Sequence, residues 1–146
     1  MINIQKITTL DSEEAQQAMI IRQKVFVEEQ GVDPALERDE HETDCHHYLA
    51  LFDGIPVGTA RWRKTGEGIK LERFAVLSAY RNQGIGEELL ATVLQDVSRE
   101  GRDLYLHAQL RAVSFYQRAG FRQEGAIFHE AGIAHYRMSR SCSTQP

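Results

Sequence analysis

The stretch that decides the fold is Arg81-Asn82-Gln83-Gly84-Ile85-Gly86, which lies between a hydrophobic strand pattern and an amphipathic helix pattern. Glycines at such a corner allow the backbone to approach a ligand closely. The free N–H groups and the positive end of the helix dipole then favour an anion, and Arg81 can add a charge-assisted contact. The stretch therefore predicts a pyrophosphate site; the alternative is a glycine-rich turn that only starts a helix.

The spacing of these glycines differs from two common phosphate motifs. It is neither the G-x-G-x-x-G of dinucleotide-binding folds nor a Walker loop with its lysine. The corner also follows the fourth predicted strand rather than the first, which disfavours a Rossmann fold. The pattern therefore indicates an anion site in a different architecture.

Outward from this corner, hydrophobic periodicity predicts the element order β-α-β-β-β-α-β-α-β-β. Asp53-Gly54 is a strong hairpin signal between two strands. Residues 69–76 form the next strand, and the helix that begins near Gly84 stops at Gly101. A strand-helix-strand step in the middle of this order predicts an α/β (α+β) fold, with a mixed, mostly antiparallel sheet and helices on both faces.

The N-terminal third of the chain carries its own boundary signals. Asp11 and Glu14 form a capping box that predicts the start of the first helix. Gly31 and Pro34 predict its end. Residues 33–44 are strongly acidic, and we expect them to form a loop.

Length and composition bound the possible functions. The 146 residues suit a single domain over residues 1–146, with a tail over 139–146 that we expect to be frayed. A net charge of -4 provides no basic field for nucleic acid. No apolar run reaches the ~20 residues that cross a bilayer, so we expect no membrane association. Cys45 and Cys142 do not make a disulfide framework, and we expect reduced thiols in a cytoplasmic protein.

These residues together resemble the GNAT superfamily of N-acyltransferases. The signature of that family is Arg or Gln, two residues, Gly, one residue, and then Gly or Ala; Arg81, Gly84 and Gly86 fill it. Residues 71–76 (LERFAV) resemble the family's central strand, and residues 112–121 (AVSFYQRAGF) resemble its second motif. The stretches VFVEEQG and GIAHYRM, near the two ends of the chain, resemble an ElaA/YjcF-like subgroup.

The resemblance implies both the donor and its binding residues. In this family the central strand and the following parallel strand splay apart, and the pantetheine arm of acetyl-CoA pairs with backbone groups in the gap. An N–H group near Val76 would polarise the thioester carbonyl, and the amides of residues 83–86 would bind the diphosphate. No metal is implied. The implied acetyl-CoA-binding residues are Phe74, Ala75, Val76, Arg81, Asn82, Gln83, Gly84, Ile85 and Gly86.

Three residues are candidates for proton transfer. Tyr116 matches the tyrosine that the family places near the coenzyme sulfur as a general acid; the alternative is a packed aromatic. Glu72 and Val76 are four residues apart on the same strand, and strand side chains alternate between the two faces of a sheet. Both side chains are therefore expected on one face unless a β-bulge intervenes. A carboxylate there could have a raised pKa and act as the base through water, or it could form a salt bridge. His107, at the end of the parallel strand, is a rival base.

The acceptor pocket is expected between the first helix, its loop and the closing hairpin. By resemblance it includes Arg22, Phe26, Glu29 and Gln30, with His107 nearby. The acidic residues between positions 37 and 44 could attract a cationic amine, but we favour a solvated loop. The sequence does not name the acceptor, so small-molecule and protein amines both stay open, as does a homodimer.

Three other interpretations stay open. A coenzyme A-binding sensor would keep the fold without turnover. Arg22, Phe26, Glu37 and Asp39 loosely resemble acyl-homoserine-lactone synthases, but those enzymes lack the full coenzyme A signature. The histidine-rich stretch 41–47 offers metal ligands but lacks the paired spacing of strong zinc sites, so we expect no metal.

Overall fold

Seven strands form one mixed sheet in the computed structural model, which describes residues 1–142 of the chain. The strands are β1 (Ile2–Ile7), β2 (His46–Phe52), β3 (Ile55–Thr65), β4 (Gly68–Val76), β5 (Leu104–Gln109), β6 (Arg122–Glu130) and β7 (Ile133–Arg140). Their order across the sheet is β1-β2-β3-β4-β5-β7-β6. Neighbouring strands run antiparallel except β4 and β5, which run parallel. The predicted mixed, mostly antiparallel sheet is therefore confirmed.

Four α-helices in the described part of the chain cover the two faces of this sheet. They are α1 (Glu13–Arg22), α2 (Pro34–Glu37), α3 (Ile85–Val97) and α4 (Val113–Gln117). Leu89 and Val93 of α3 pack into the larger core together with Leu106 of β5. Ala18 and Ile21 of α1 pack into a second core on the opposite face. None of the helices formed by residues 1–142 is both long and apolar enough to cross a membrane.

The first helix begins and continues differently from its prediction. Ser12 rather than Asp11 is the N-cap, and its Oγ accepts a hydrogen bond from the backbone N of Ala15 at 3.2 Å. Ser12 can do this because its backbone is extended, as N-cap residues require. Beyond α1 the chain continues as a π-helix over Gln23–Glu29. Such helices are rare and often occur at functional sites.

The acidic residues 33–44 are more ordered than the predicted loop. They contain α2 and a 3₁₀ turn over Glu42–Asp44. The Asp33 carboxylate accepts a hydrogen bond from the backbone N of Ala35 at 2.9 Å and so caps α2. Pro34 follows at the first helical position, which its fixed φ favours. This acidic segment (residues 33–44) is a structured wall beside the sheet.

β4 and β5 pair over a short distance and then separate. Three residue pairs join them, and the last of these is Leu71 with Leu106. A β-bulge follows in β4, where Arg73 has a φ of 57° and the register against β3 shifts between Glu72 and Ala75. Beyond Leu71 no pair between these strands occurs among the described residues. The sheet therefore opens into a gap, as the resemblance implies.

Gly68 lies at the closed end of this gap. It has a φ of 134°, and a Cβ atom placed there would lie 2.3 Å from the carbonyl oxygen of Asp103. The backbone N of Ile69 donates to the same oxygen at 2.9 Å. The chain segments that begin β4 and β5 thus approach each other so closely that this position has no room for a side chain.

The C-terminal region forms a strand where a frayed tail is predicted. Ser139 and Arg140 belong to β7, and Arg140 Nη1 donates to the carbonyl oxygen of Ala119 at 3.0 Å. The backbone N of Cys142 donates to the Asp103 carboxylate at 3.0 Å. The remaining residues of the predicted tail, 143–146, lie outside the described residues.

Candidate active site

A cleft of about 1170 Å³ opens where β4 and β5 separate. It extends from the start of α3 to the π-helix and α2. It brings together most residues that the sequence singles out, namely Phe26, Gln30, Glu72, Phe74, Ala75, Val76, Arg81, Asn82, Gly84, Ile85, Gly86, His107 and Tyr116. Arg22, Glu29 and Gln83 do not line it. The predicted corner therefore borders an open slot.

The start of α3 offers backbone donors to this cleft. Gly84 is the N-cap, with a φ of 83° in the left-handed region that favours glycine. The first hydrogen bond of the helix runs from the backbone N of Glu88 to the carbonyl oxygen of Gly84 at 3.1 Å. The N–H groups of Ile85, Gly86 and Glu87 have no acceptor within residues 1–142. With the positive end of the helix dipole, they form a place for an anion.

Arg81 is held by protein groups at this corner. Its Nη1 and Nη2 donate to the two carboxylate oxygens of Glu29 at 2.6 and 2.7 Å. Its Nε donates to the carbonyl oxygen of Val76 at 2.9 Å. The hydrogen bond from Arg81 lowers the pKa of Glu29. Glu29 therefore reaches the glycine-rich corner instead of the predicted acceptor pocket, because it pairs with this arginine.

Tyr116 lies on α4 with its ring buried and its hydroxyl at the cleft. The ring packs edge-on against Phe74, Phe115 and Phe121, with centroids 6.2, 5.0 and 6.0 Å away. The hydroxyl has no hydrogen-bond partner within residues 1–142, and its oxygen is not sealed from the cleft. Burial raises the pKa of Tyr116, because the phenolate would lose its hydration. Tyr116 is therefore protonated at neutral pH and can donate a proton.

Glu72 is poorly suited to act as the base. The bulge in β4 reverses the pleat, so Glu72 and Val76 lie on opposite faces instead of the predicted common face. Glu72 Oε1 lies 3.1 Å from Arg61 Nη2 and 2.8 Å from Arg63 Nε, and Oε2 lies 3.5 Å from Lys70 Nζ. Burial alone would raise the pKa of Glu72, but these cations outweigh burial and lower it. The expectation of a raised pKa is wrong, and the salt-bridged alternative describes this residue.

A cluster of arginines and carboxylates lies between the sheet and the acidic segment. Arg22 and Arg61 are each 1% exposed. Arg22 Nε donates to Glu37 at 2.7 Å, and its Nη1 and Nη2 donate to Glu42 at 2.9 Å each. Arg61 Nη2 donates to Asp39 at 2.6 Å. Arg22 therefore belongs to this cluster rather than to the predicted acceptor pocket, and these carboxylates are paired instead of solvated.

Replacing Arg22 by Met is expected to lower the free energy of unfolding by about 3 kcal/mol, because the buried Glu37 carboxylate loses its shortest ion pair.

Burial alone would raise the pKa of Glu42, but Arg22 and Arg61 lower it to about 2. The stabilisation from Glu42 is therefore complete at neutral pH and is lost as the pH falls from about 4 towards 2. Urea denaturation at pH 7 measures the free energy of unfolding of Arg22→Met. Lys24→Met, at an exposed position, is the control. A loss below about 1 kcal/mol would show that the ion pair contributes little.

The sequence-based set misses several residues of the cleft, and three of them carry charge beside the predicted site. Arg111 adds a cation on the β5 side, and its place just before the second motif could have flagged it. Arg73 Nη2 donates to the carbonyl oxygen of Glu37 at 3.0 Å and so holds α2 against β4. Glu130 Oε1 lies 3.0 Å from Nδ1 of His107. No sequence signal predicts this last contact, because it depends on β7 lying between β5 and β6.

The histidine-rich stretch makes ordinary contacts. His46 stacks on Trp62 with ring centroids 3.9 Å apart. His47 Nε2 lies 2.8 Å from the carbonyl oxygen of Glu42. The two side chains point to opposite faces of β2, as adjacent strand positions do. Within residues 1–142 there is no group of three or more His, Cys, Asp or Glu side chains that could hold a metal ion.

The strand gap leads from unpaired helix amides to a tyrosine hydroxyl, as the resemblance to the N-acyltransferases implies. A family model described as an acetyltransferase (GNAT) domain matches residues 9–142. The Bacillus subtilis protein YjcF, described as an uncharacterized N-acetyltransferase, is 38% identical over 135 residues, which cover 89% of this chain and 94% of that protein. The chain belongs to the GNAT acetyltransferase family and is an N-acetyltransferase by class.

Solved structures agree with this assignment. The crystal structure of Escherichia coli ElaA has a TM-score of 0.84 and 27% identity, covering 97% of this chain and 100% of that chain. The PaiA N-acetyltransferase of Thermoplasma acidophilum, solved in complex with coenzyme A, has a TM-score of 0.75 at 15% identity, covering 97% of this chain and 99% of that chain. The latter likeness concerns the fold alone. The resemblance to an ElaA/YjcF-like GNAT subgroup is confirmed.

Proposed function

We propose that the protein transfers the acetyl group of acetyl-CoA directly to an amine while both substrates are bound. The observation that carries this proposal is the open slot between β4 and β5, which connects the free amides of α3 with the Tyr116 hydroxyl. The family supports the class of reaction. The coenzyme A bound to the T. acidophilum protein of the same fold supports an acyl-CoA donor.

The residues along the slot fit such a donor. The N–H groups of Ile85, Gly86 and Glu87 are free to bind a diphosphate. Beyond Leu71 the side of β4 that faces β5 has no strand partner among the described residues, so its backbone can pair with a pantetheine arm as with an added strand. Acetyl-CoA supplies the acetyl group as an activated thioester.

The chain supplies two further parts of the reaction. A backbone N–H near Val76 polarises the acetyl carbonyl and stabilises the negative charge that develops there. Tyr116 donates its proton to the departing thiolate. The three phenylalanine rings around Tyr116 hold its hydroxyl in one position at the cleft.

The acceptor enters from the α1 face, where Phe26 and Gln30 line the cleft. Gln109 Nε2 donates to Gln30 Oε1 at 2.8 Å, which links the residue directly after the π-helix to β5 on the far side of the gap. The carboxylates of the acidic segment that join the arginine cluster are neutralised by it, so they provide little attraction for a cationic amine. We infer that shape and hydrogen bonding select a small-molecule or protein amine here.

A thiol-release assay with acetyl-CoA against a broad panel of small amines and peptide N-termini tests the proposed function. We expect release that depends on the amine, together with saturable coenzyme A binding in isothermal titration calorimetry. Saturable binding without turnover on any amine would favour a coenzyme A sensor instead. Consumption of S-adenosylmethionine in the presence of an acyl donor would favour a homoserine-lactone-synthase-like enzyme.

A further inference from the structure

His107 lies where the gap between β4 and β5 begins. It follows Leu106, the last residue of β5 that pairs with β4. Because Leu106 and Ala108 point into the core beneath α3, strand alternation directs the His107 side chain to the α1 face. This side chain lines the cleft and is 22% exposed. The imidazole therefore borders the cleft on its α1 face, where the acceptor is proposed to enter.

Glu130 fixes the orientation of the His107 ring. Its Oε1 lies 3.0 Å from Nδ1, and the ring of Phe128 packs edge-on against the imidazole with centroids 5.0 Å apart. The hydrogen bond with His107 lowers the pKa of Glu130 to about 2, so this residue is a carboxylate at neutral pH. An ionised carboxylate can only accept, so Nδ1 carries the proton of the neutral ring. The lone pair of the neutral ring therefore belongs to Nε2.

The Nε2 atom of His107 is free to accept a proton. It has no hydrogen-bond partner within residues 1–142, and it is not sealed from solvent. Other polar side chains at this end of the cleft already have partners. Glu72, the other candidate base, faces three cations. His135 is buried, and its Nδ1 lies 2.7 Å from the carbonyl oxygen of Ile133.

We propose that His107 is the catalytic base and that Glu130 is its positioning residue; this inference rests on the acetyl transfer proposed above. The amine nitrogen forms a bond to the acetyl carbon, and the carbon–sulfur bond breaks. An amine that arrives as an ammonium first loses one proton to Nε2 of His107, which releases it to solvent. The proton that the attacking neutral nitrogen then loses passes to the same Nε2, and Tyr116 gives its proton to the thiolate sulfur. Afterwards His107 releases one proton to solvent and Tyr116 takes one up, so both residues return to their starting states.

Charged and titratable groups approach His107 from three strands. They are Glu130 on β6, His135 and Arg137 on β7, and Lys70 and Glu72 on β4. Gln30, which directly follows the π-helix, is neutral. Arg137 packs over the ring of Tyr105, with its guanidinium carbon 4.2 Å from the centroid. Glu130 is the group that hydrogen-bonds to the imidazole, and it is therefore the side chain to vary.

His107→Gln tests the base, because glutamine retains a polar side chain but cannot take up a proton. With acetyl-CoA and n-butylamine, or the most active amine of the panel, we expect kcat/KM at pH 7 to fall about a hundredfold or more. Coenzyme A affinity should change by less than about twofold. With hydroxylamine, which is already neutral at this pH, the loss should be about tenfold or less. His129→Gln, an exposed histidine of β6 outside the cleft, is the matched control and should match the wild type.

Glu130→Gln tests the positioning role. The amide oxygen can still accept from Nδ1, but the negative charge that stabilises the protonated ring is gone. We therefore expect the acid limb of the kcat/KM profile to move to lower pH. A purely structural role would leave the profile in place. An NMR titration of the His107 ring, in the wild type and in Glu130→Gln, measures the same coupling without any acceptor.

The outcomes separate this inference from the proposed function. If His107→Gln leaves kcat/KM and its pH profile unchanged, the base assignment is overturned while acetyl transfer stands. If the wild type acetylates no amine, the proposed function fails. In that case the NMR titration of the His107 ring still tests its coupling to Glu130, because it needs no acceptor. Identical titrations of the wild type and Glu130→Gln would overturn the proposed role of this pair.

Discussion

Replacing Gly84 by Asp is expected to weaken coenzyme A binding by at least about a hundredfold, or about 2.7 kcal/mol. At a φ of 83°, a side chain at this N-cap costs roughly 1–2 kcal/mol of backbone strain. The new carboxylate adds a negative charge where the diphosphate would bind. It can also accept hydrogen bonds from the N–H groups of Gly86 or Glu87, which removes the donors themselves. Calorimetric titration with coenzyme A measures the loss.

Gly101→Asp is the matched control for this prediction. Gly101 follows the last helical turn after α3, has a φ of 64°, and a Cβ atom there would meet nothing within 4 Å. The control therefore shares the backbone strain and the added charge but lies at the opposite end of the helix. It should bind coenzyme A as the wild type does. Wild-type affinity in Gly84→Asp would remove the phosphate site from the start of α3.

Replacing Tyr116 by Phe is expected to lower kcat about a hundredfold, because the departing thiolate loses its proton donor. The ring contacts with Phe74, Phe115 and Phe121 do not involve the hydroxyl, so the fold and the slot should persist. Coenzyme A affinity should therefore change by less than about twofold. Steady-state thiol release at saturating acetyl-CoA, together with calorimetry, separates the two effects.

Tyr136→Phe is the matched control for Tyr116→Phe. Tyr136 lies on β7, is partly buried against the same core, and does not line the cleft. Its loss should leave kcat near the wild-type value. Should Tyr116→Phe retain full turnover, another group must protonate the thiolate, and the hydroxyl at the cleft would have no chemical role.

The part of the fold that the sequence predicts is the part that local patterns determine. Gly84 lies between a strand pattern and a helix pattern, and the structure places it at the N-cap of α3 on the rim of the cleft. Asp53-Gly54 marks a hairpin, and β2 and β3 pair as its two antiparallel strands. These signals extend over a few residues each, so one sequence is enough to detect them.

The errors come from contacts between distant parts of the chain. The bulge at Arg73 reverses the pleat, and no residue pattern announces a positive φ at an arginine. Arg22 lies 15 and 20 positions from its partners Glu37 and Glu42, so their composition alone indicates a solvated loop. The contact of His107 with Glu130 requires β7 to insert between β5 and β6. Pairings of this kind depend on topology, which local periodicity does not determine.

Gly68 lies eight residues before Val76, about 26 Å along β4, since a strand rises ~3.3 Å per residue. A Cβ atom at position 68 would collide with the carbonyl oxygen of Asp103, so any side chain there has to push the beginnings of β4 and β5 apart. Three residue pairs lie between this contact and the point where the two strands separate. In the proposed reaction, the width available to an acyl donor therefore depends on a residue that the donor would not contact.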